Sequence, residues 1–143
     1  MAREKHRRRR WGNVTLEMAL VLPILLGLAF GTVEFGYFFY VKHTTQGASR
    51  DGARMAILGT ATNAAVAASV SSTMNTGGLG SSGYTTSIIN ASSGTTIPDV
   101  STVLRGTPIK VTVALSYGTV GVRPLGVIPA DKHVIGVTTM IRE

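Results

Sequence analysis

The feature that most constrains this chain is a charge-free run of sixteen residues, Met18 to Val33, entered from four consecutive arginines, Arg7 to Arg10. Coiled as a helix at ~1.5 Å per residue, Leu16 to Val41 would reach roughly 39 Å, enough to cross a hydrocarbon core of about 30 Å. Arginines before such a run hold that end in the cytoplasm. At the far end Phe35, Tyr37, Phe38, Phe39 and Tyr40, followed by Lys42 and His43, match an interfacial aromatic belt. The expectation is a transmembrane helix over residues 13–41, with the N-terminus cytoplasmic and the C-terminal part outside. A secretory signal peptide has a shorter apolar core followed by a small-residue cleavage site. Here the core runs into aromatics, so cleavage after it is not expected.

Charge supports the same division. The chain carries a formal +7, but residues 1–12 hold six Lys/Arg against Glu4, so this basic leader accounts for +5 and everything after it for +2. An arginine arm can neutralise phosphates, yet an arm joined directly to an apolar run is a membrane anchor, and a nucleic-acid partner is not expected. With 143 residues and no cysteine, there is room for one small domain and neither a disulfide framework nor a thiolate metal site.

Within the run, Ala19, Pro23, Gly27 and Gly31 recur every four residues and lie along one stripe of a helix, Gly27 and Gly31 forming a GxxxG pair suited to close helix packing. Pro23 also lacks an amide hydrogen, which predicts a bend or a locally loosened turn. Residues 42–58 keep helical spacing, with Ala48, Gly52 and Ala56 on one side and Arg50 and Arg54 four apart on another, so the helix is expected to extend beyond the membrane. Thr60 to Asn63 would interrupt it. An alanine-rich second helix follows from Ala64, ending at Asn75 and the glycines after it. A weak strand candidate spans Tyr84 to Ile89. Clear alternation marks 109–117, where Ile109, Val111, Val113, Leu115 and Tyr117 take every second position, and another strand is expected over His133 to Ile141. The glycines and prolines between 118 and 129 make a connection rather than a helix. The expected fold class is α+β: a long N-terminal transmembrane helix continuing into a small extracytoplasmic domain, residues 59–143, with a second short helix and a small antiparallel sheet.

Catalytic machinery is not visible. His6, His43 and His133 are far apart and differ in context, no glycine-rich phosphate loop with its lysine occurs, and no nucleophile motif surrounds any serine. Neither an enzyme activity, a cofactor nor a metal is expected. Asn90-Ala91-Ser92 fits an N-glycosylation sequon, a weak signal in a Ser-rich segment.

A basic leader ending in glycine, then four residues, then glutamate, then an apolar helix is the order found here: Arg7 to Arg10, Gly12, Asn13 to Leu16, Glu17. This order resembles the prepilin signal of type IV pilin-like proteins. GNVTLEMALVLP, with EFGYFFYV and SRDGAR after it, resembles more particularly the TadE-like family of minor pilins and pseudopilins of the tight-adherence (Tad, or Flp) pilus. The resemblance runs from about Gly12 to Gly59. It implies cleavage by a prepilin peptidase on the cytoplasmic side after Gly12, leaving Asn13 as the first mature residue, and a protein held in the inner membrane until its helix enters a filament. It implies as partners that peptidase, other pilins and the Tad inner-membrane assembly proteins, besides the bilayer. Arg50, Asp51, Gly52, Ala53 and Arg54 fall in the family motif.

Physical chemistry gives these positions reasons. A glycine at a scissile bond enters a narrow cleft in extended form without side-chain resistance. After the cut the Asn13 ammonium would lie ~6 Å along the axis from Glu17, a natural counter-ion on the same or a neighbouring chain. Glu34, about 32 Å from Asn13, is expected near the far interface in water, where an acid needs no special role. The alternative to a pilin is an uncleaved signal-anchored protein whose Ser/Thr-rich outer domain binds something else; cleavage at Gly12 separates the two.

Overall fold

The computed structural model describes the backbone of residues 5–143 and side-chain surroundings from Val14 onward. One helix dominates it: α1, Lys5–Ala56, is 52 residues long and runs uninterrupted through Pro23. At ~1.5 Å per residue it measures about 78 Å. Pro23 therefore removes a backbone donor without ending the helix.

Helix α2, Asn63–Thr76, begins where Thr62 turns its hydroxyl back to accept from the Ala65 amide at 3.2 Å, and stops at Gly77 and Gly78. Three strands follow, β1 (Thr85–Asn90), β2 (Pro108–Ser116) and β3 (His133–Ile141), forming an antiparallel sheet in the order β1-β2-β3. The sequence alternation of 109–117 is thus a central strand. Its single departure is Tyr117, which leaves the ladder and opens a short 3-10 turn, Tyr117–Thr119.

Register explains the core. Val111 stands opposite Thr138, Val113 opposite Gly136 and Leu115 opposite Val134, so one face of the sheet is lined by Ile109, Val111, Val113 and Leu115, all buried. Full burial of such a side chain stabilises by ~1.5–3 kcal/mol. This face packs on the upper part of α1 and on α2, whose Val66, Val70 and Met74 are buried against it.

Close approach is made possible by small residues. Ala48, Gly52, Ala53 and Ala56 are among the buried positions of α1 against α2 and the sheet. A Cβ on Gly52 would come within 2.7 Å of Val70 Cγ2 and 3.2 Å of Val111 Cγ1. Gly136 lies directly against the backbone of Thr45, where a Cβ would collide with the Thr45 carbonyl. Beside it, the Gln46 amide donates to the Val137 carbonyl at 2.9 Å and accepts from the Val137 amide at 3.2 Å, closing the outer edge of β3.

At the other end Arg142 is buried, 5% exposed, and donates to the carbonyls of Ala56 (3.1 Å) and Gly59 (3.2 Å). These carbonyls belong to the end of α1 and the turn after it, where helix acceptors lack intrahelical partners. A cation there also complements the negative end of the helix dipole.

Candidate membrane-anchoring and assembly segment

α1 has two halves. From Val14 to Val33 almost every side chain is exposed, with Leu16, Leu20, Ile24 and Leu28 each more than 60% so. Among the described residues little covers this surface apart from Leu125 at Gly31, and it is long and apolar enough to cross a membrane by length and composition. From Glu34 upward the same helix is part of the domain: Glu34, Val41, Thr45, Ala48 and Ser49 are buried, and Tyr37 and Phe38 pack on the core.

The residues singled out in the sequence divide accordingly. Glu17, Ala19 and Pro23 are exposed on the lower half. Gly27 has no neighbouring atom within 4 Å of where a Cβ would sit, so the small-residue stripe meets nothing within its own chain there. Gly31, one turn above, faces Leu125 at 3.9 Å. The backbone is helical through Gly12 and Asn13, while their side-chain surroundings lie outside the described residues.

Glu34 departs from the expectation of a watery interfacial acid: it is fully buried. Its two oxygens accept from the backbone amides of Leu125 (3.0 Å) and Ile128 (2.7 Å), in the loop between β2 and β3. A carboxylate can leave water when amide donors replace its hydration, and this loop supplies them. The Tyr117 hydroxyl donates to the Glu34 carbonyl at 3.4 Å, and the Tyr117 ring meets Phe38 edge-on at 5.3 Å. Burial, reinforced by the neighbouring Glu34 carboxylate, raises the Tyr117 phenol above its ordinary value. No local sequence signal could have revealed this arrangement, because Glu34 and the loop are 91 positions apart.

The segment Arg50 to Arg54 resolves into packing and surface. Gly52 and Ala53 are buried between α2 and β2, and the Asp51 carboxylate accepts from the Thr73 hydroxyl of α2 at 2.8 Å. Arg50 and Arg54 are exposed. The small members of the motif thus join α1 to α2, and the arginines face outward beside that joint. His43 and His133 are both exposed on different elements, and no cluster of metal-ligating side chains occurs among the described residues. Asn90 uses its side-chain oxygen to accept from the Ser92 amide at 2.9 Å, a turn that shapes the loop after β1.

Taken together, fold and anchor define a class: an α+β domain built around the upper half of one continuous helix, whose lower half is bare and membrane-compatible. Residues 12–54 match the family model described as TadE-like protein. The match covers α1 from Gly12 to Arg54, and so includes both halves of the helix and the SRDGAR segment. No curated protein and no solved structure matches the chain significantly.

Proposed function

We propose that this chain is a minor pilin or pseudopilin of a Tad-type pilus or secretion machine, cut after Gly12 by a prepilin peptidase and drawn by its helix from the inner membrane into an assembly. The observation that carries the reading is the bare lower half of α1, Val14 to Val33, within the segment that matches the TadE-like family. A helix that is apolar on all sides suits lipid, and it suits equally a bundle of identical helices once lipid is left behind. The small stripe from Ala19 to Gly31 offers the close-packing face of such a bundle. Glu17 sits where a new Asn13 ammonium would need a partner after the leader is removed. A helical Gly12 must unwind to enter a protease cleft, and glycine lowers that cost by up to ~1 kcal/mol relative to alanine.

Cleavage is tested by intact-protein mass spectrometry of the membrane fraction from cells with an active prepilin peptidase. The mature chain should begin at Asn13; a chain still beginning at Met1 or Ala2 would refute the reading. Assembly is tested by Glu17→Gln, which should be cut normally yet fail to support surface pili in a strain lacking the native copy. Normal piliation would show that the acid is only an interfacial residue.

A further inference from the structure

Glu34 does more than satisfy itself, because the loop it holds is apolar where it faces outward. In the stretch 121–129, GVRPLGVIP, Val122, Leu125 and Val127 are 50%, 44% and 58% exposed. Glu34 takes up the amides of Leu125 and Ile128, so part of the loop's backbone is paired with the helix; Ile128 turns into the core and Leu125 reaches Gly31, while Val122, Val127 and much of Leu125 stay exposed. Arg123 donates through Nε to the Ile128 carbonyl at 2.9 Å, which fixes its guanidinium within the same loop.

The height of this loop along α1 decides what it meets. Val14 to Val33 is twenty residues, or about 30 Å, the thickness of a hydrocarbon core. Leu125 lies against Gly31, inside that stretch, and the clasp is made at Glu34, the first residue above it. At the same height α1 itself exposes Phe30, Val33 and Phe35. The loop's apolar surface is therefore continuous with the surface of the span, at the outer boundary of the bilayer.

We propose that residues 121–129 form a second membrane-contact element, a wedge clamped to the helix by Glu34 that rests Val122, Leu125 and Val127 in the outer leaflet interface, with Arg123 at phosphate depth. The occupant is lipid. Apolar side chains at the headgroup and acyl boundary, beside an arginine held at the same level, are the composition that interfacial binding uses. The wedge would fix the rotation and height of the domain over the membrane, which a single helix cannot do alone. It rests on the membrane-spanning reading of α1.

The chain has no cysteine, so single-cysteine variants carry an environment-sensitive fluorophore at one known place. The full chain is reconstituted into phosphatidylcholine–phosphatidylglycerol vesicles containing lipids with nitroxide quenchers at shallow or deep positions. Leu28→Cys reports the span, Val127→Cys the wedge, and Leu104→Cys, 79% exposed on the turn before β2, the membrane-distal domain. The expected result is deep quenching at position 28, none at 104, and at 127 a loss of about half the emission or more to the shallow quencher, as for a side chain ~5–10 Å into the interface. Quenching at 28 with position 127 behaving like 104 overturns the wedge and leaves the span intact. Blue-shifted but unquenched emission at 127 means that protein, such as a second copy, covers the loop, and also overturns it. Absence of quenching at 28 removes the span and the wedge together.

Discussion

Arg142→Met removes the guanidinium that closes the end of α1 while keeping much of the stem that fills its place. Two hydrogen bonds from a charged donor are lost, to Ala56 at 3.1 Å and Gly59 at 3.2 Å, and a third, to Ser101 at 3.5 Å, is too long to count for much. Hydrogen bonds to charged groups contribute ~1.5–3 kcal/mol each, and the helix terminus adds up to ~2 kcal/mol in a partly buried setting. Relief of the guanidinium's desolvation and rehydration of the exposed Gly59 carbonyl offset part of this, leaving a net loss of about 2–4 kcal/mol. For a domain of this size that lowers the unfolding midpoint by about 10–20 °C. Thermal challenge followed by brief thermolysin digestion, on full-length protein in detergent micelles, reads the fraction of domain still folded and is indifferent to the helix in the micelle. Arg142→Lys, which can reach one carbonyl but not both, should fall between parent and Arg142→Met. A midpoint for Arg142→Met within ~2 °C of the parent would mean that the helix-end carbonyls find water at no cost, and the closing role assigned to Arg142 would be wrong.

Glu34→Gln keeps the shape but sets an NH2 group against one of two amide donors, so hydrogen exchange at Leu125 and Ile128 should lose its protection while the β2–β3 ladder keeps its own; unchanged protection at both amides would refute the clasp. Gly136→Ala drives a methyl into the Thr45 carbonyl and should destabilise by about 1–3 kcal/mol or shift α1 off β3, read as a lowered midpoint in the same thermolysin assay; a parent-like midpoint would show that the backbone contact is slack. Tyr117 has a raised phenol, so the fold favours its neutral form: that contribution is intact below the unfolded phenol value of ~10 and is lost as pH rises through the higher folded value. Tyr117→Phe should therefore flatten the alkaline fall in stability, and an unchanged alkaline profile would place the titrating group elsewhere.

How far the sequence could be read follows from the range of each interaction. Strand β2 was legible because burial on one face imposes a two-residue period within a few positions, and α2 was legible because Thr62 and the glycines after Thr76 punctuate it locally. Glu34 and Arg142 were not, because their partners lie 91 and 86 positions away and belong to irregular backbone that has no period. Gly52 stood out in the sequence by its helical spacing with Ala48 and Ala56 and, with Ala53, through a family resemblance; the closeness of Val70, Val111 and Val66 supplies the physical reason for smallness at Gly52.

One boundary was nevertheless written into the chain and can be argued from side-chain size alone. Lipid, being fluid, makes no demand for close approach, so a helix that faces it does best with large apolar groups; a sheet and a second helix can reach a backbone only where its side chains are small. α1 changes from one regime to the other along its length: leucine, isoleucine, valine and phenylalanine dominate the bare half up to Val33, while Thr45, Ala48, Ser49, Gly52, Ala53 and Ala56 make the buried face above it. Glu34 stands at the change. The aromatics from Phe35 to Tyr40 looked like the end of a membrane span, yet Tyr37 and Phe38 are partly buried against the core and Phe39 and Tyr40 face outward, so the cluster serves the domain on one side of the helix and its surroundings on the other. The helix is unbroken across that change, so the bare half and the half that carries Gly136, Gln46 and Arg142 against it are parts of one element rather than two joined by a linker.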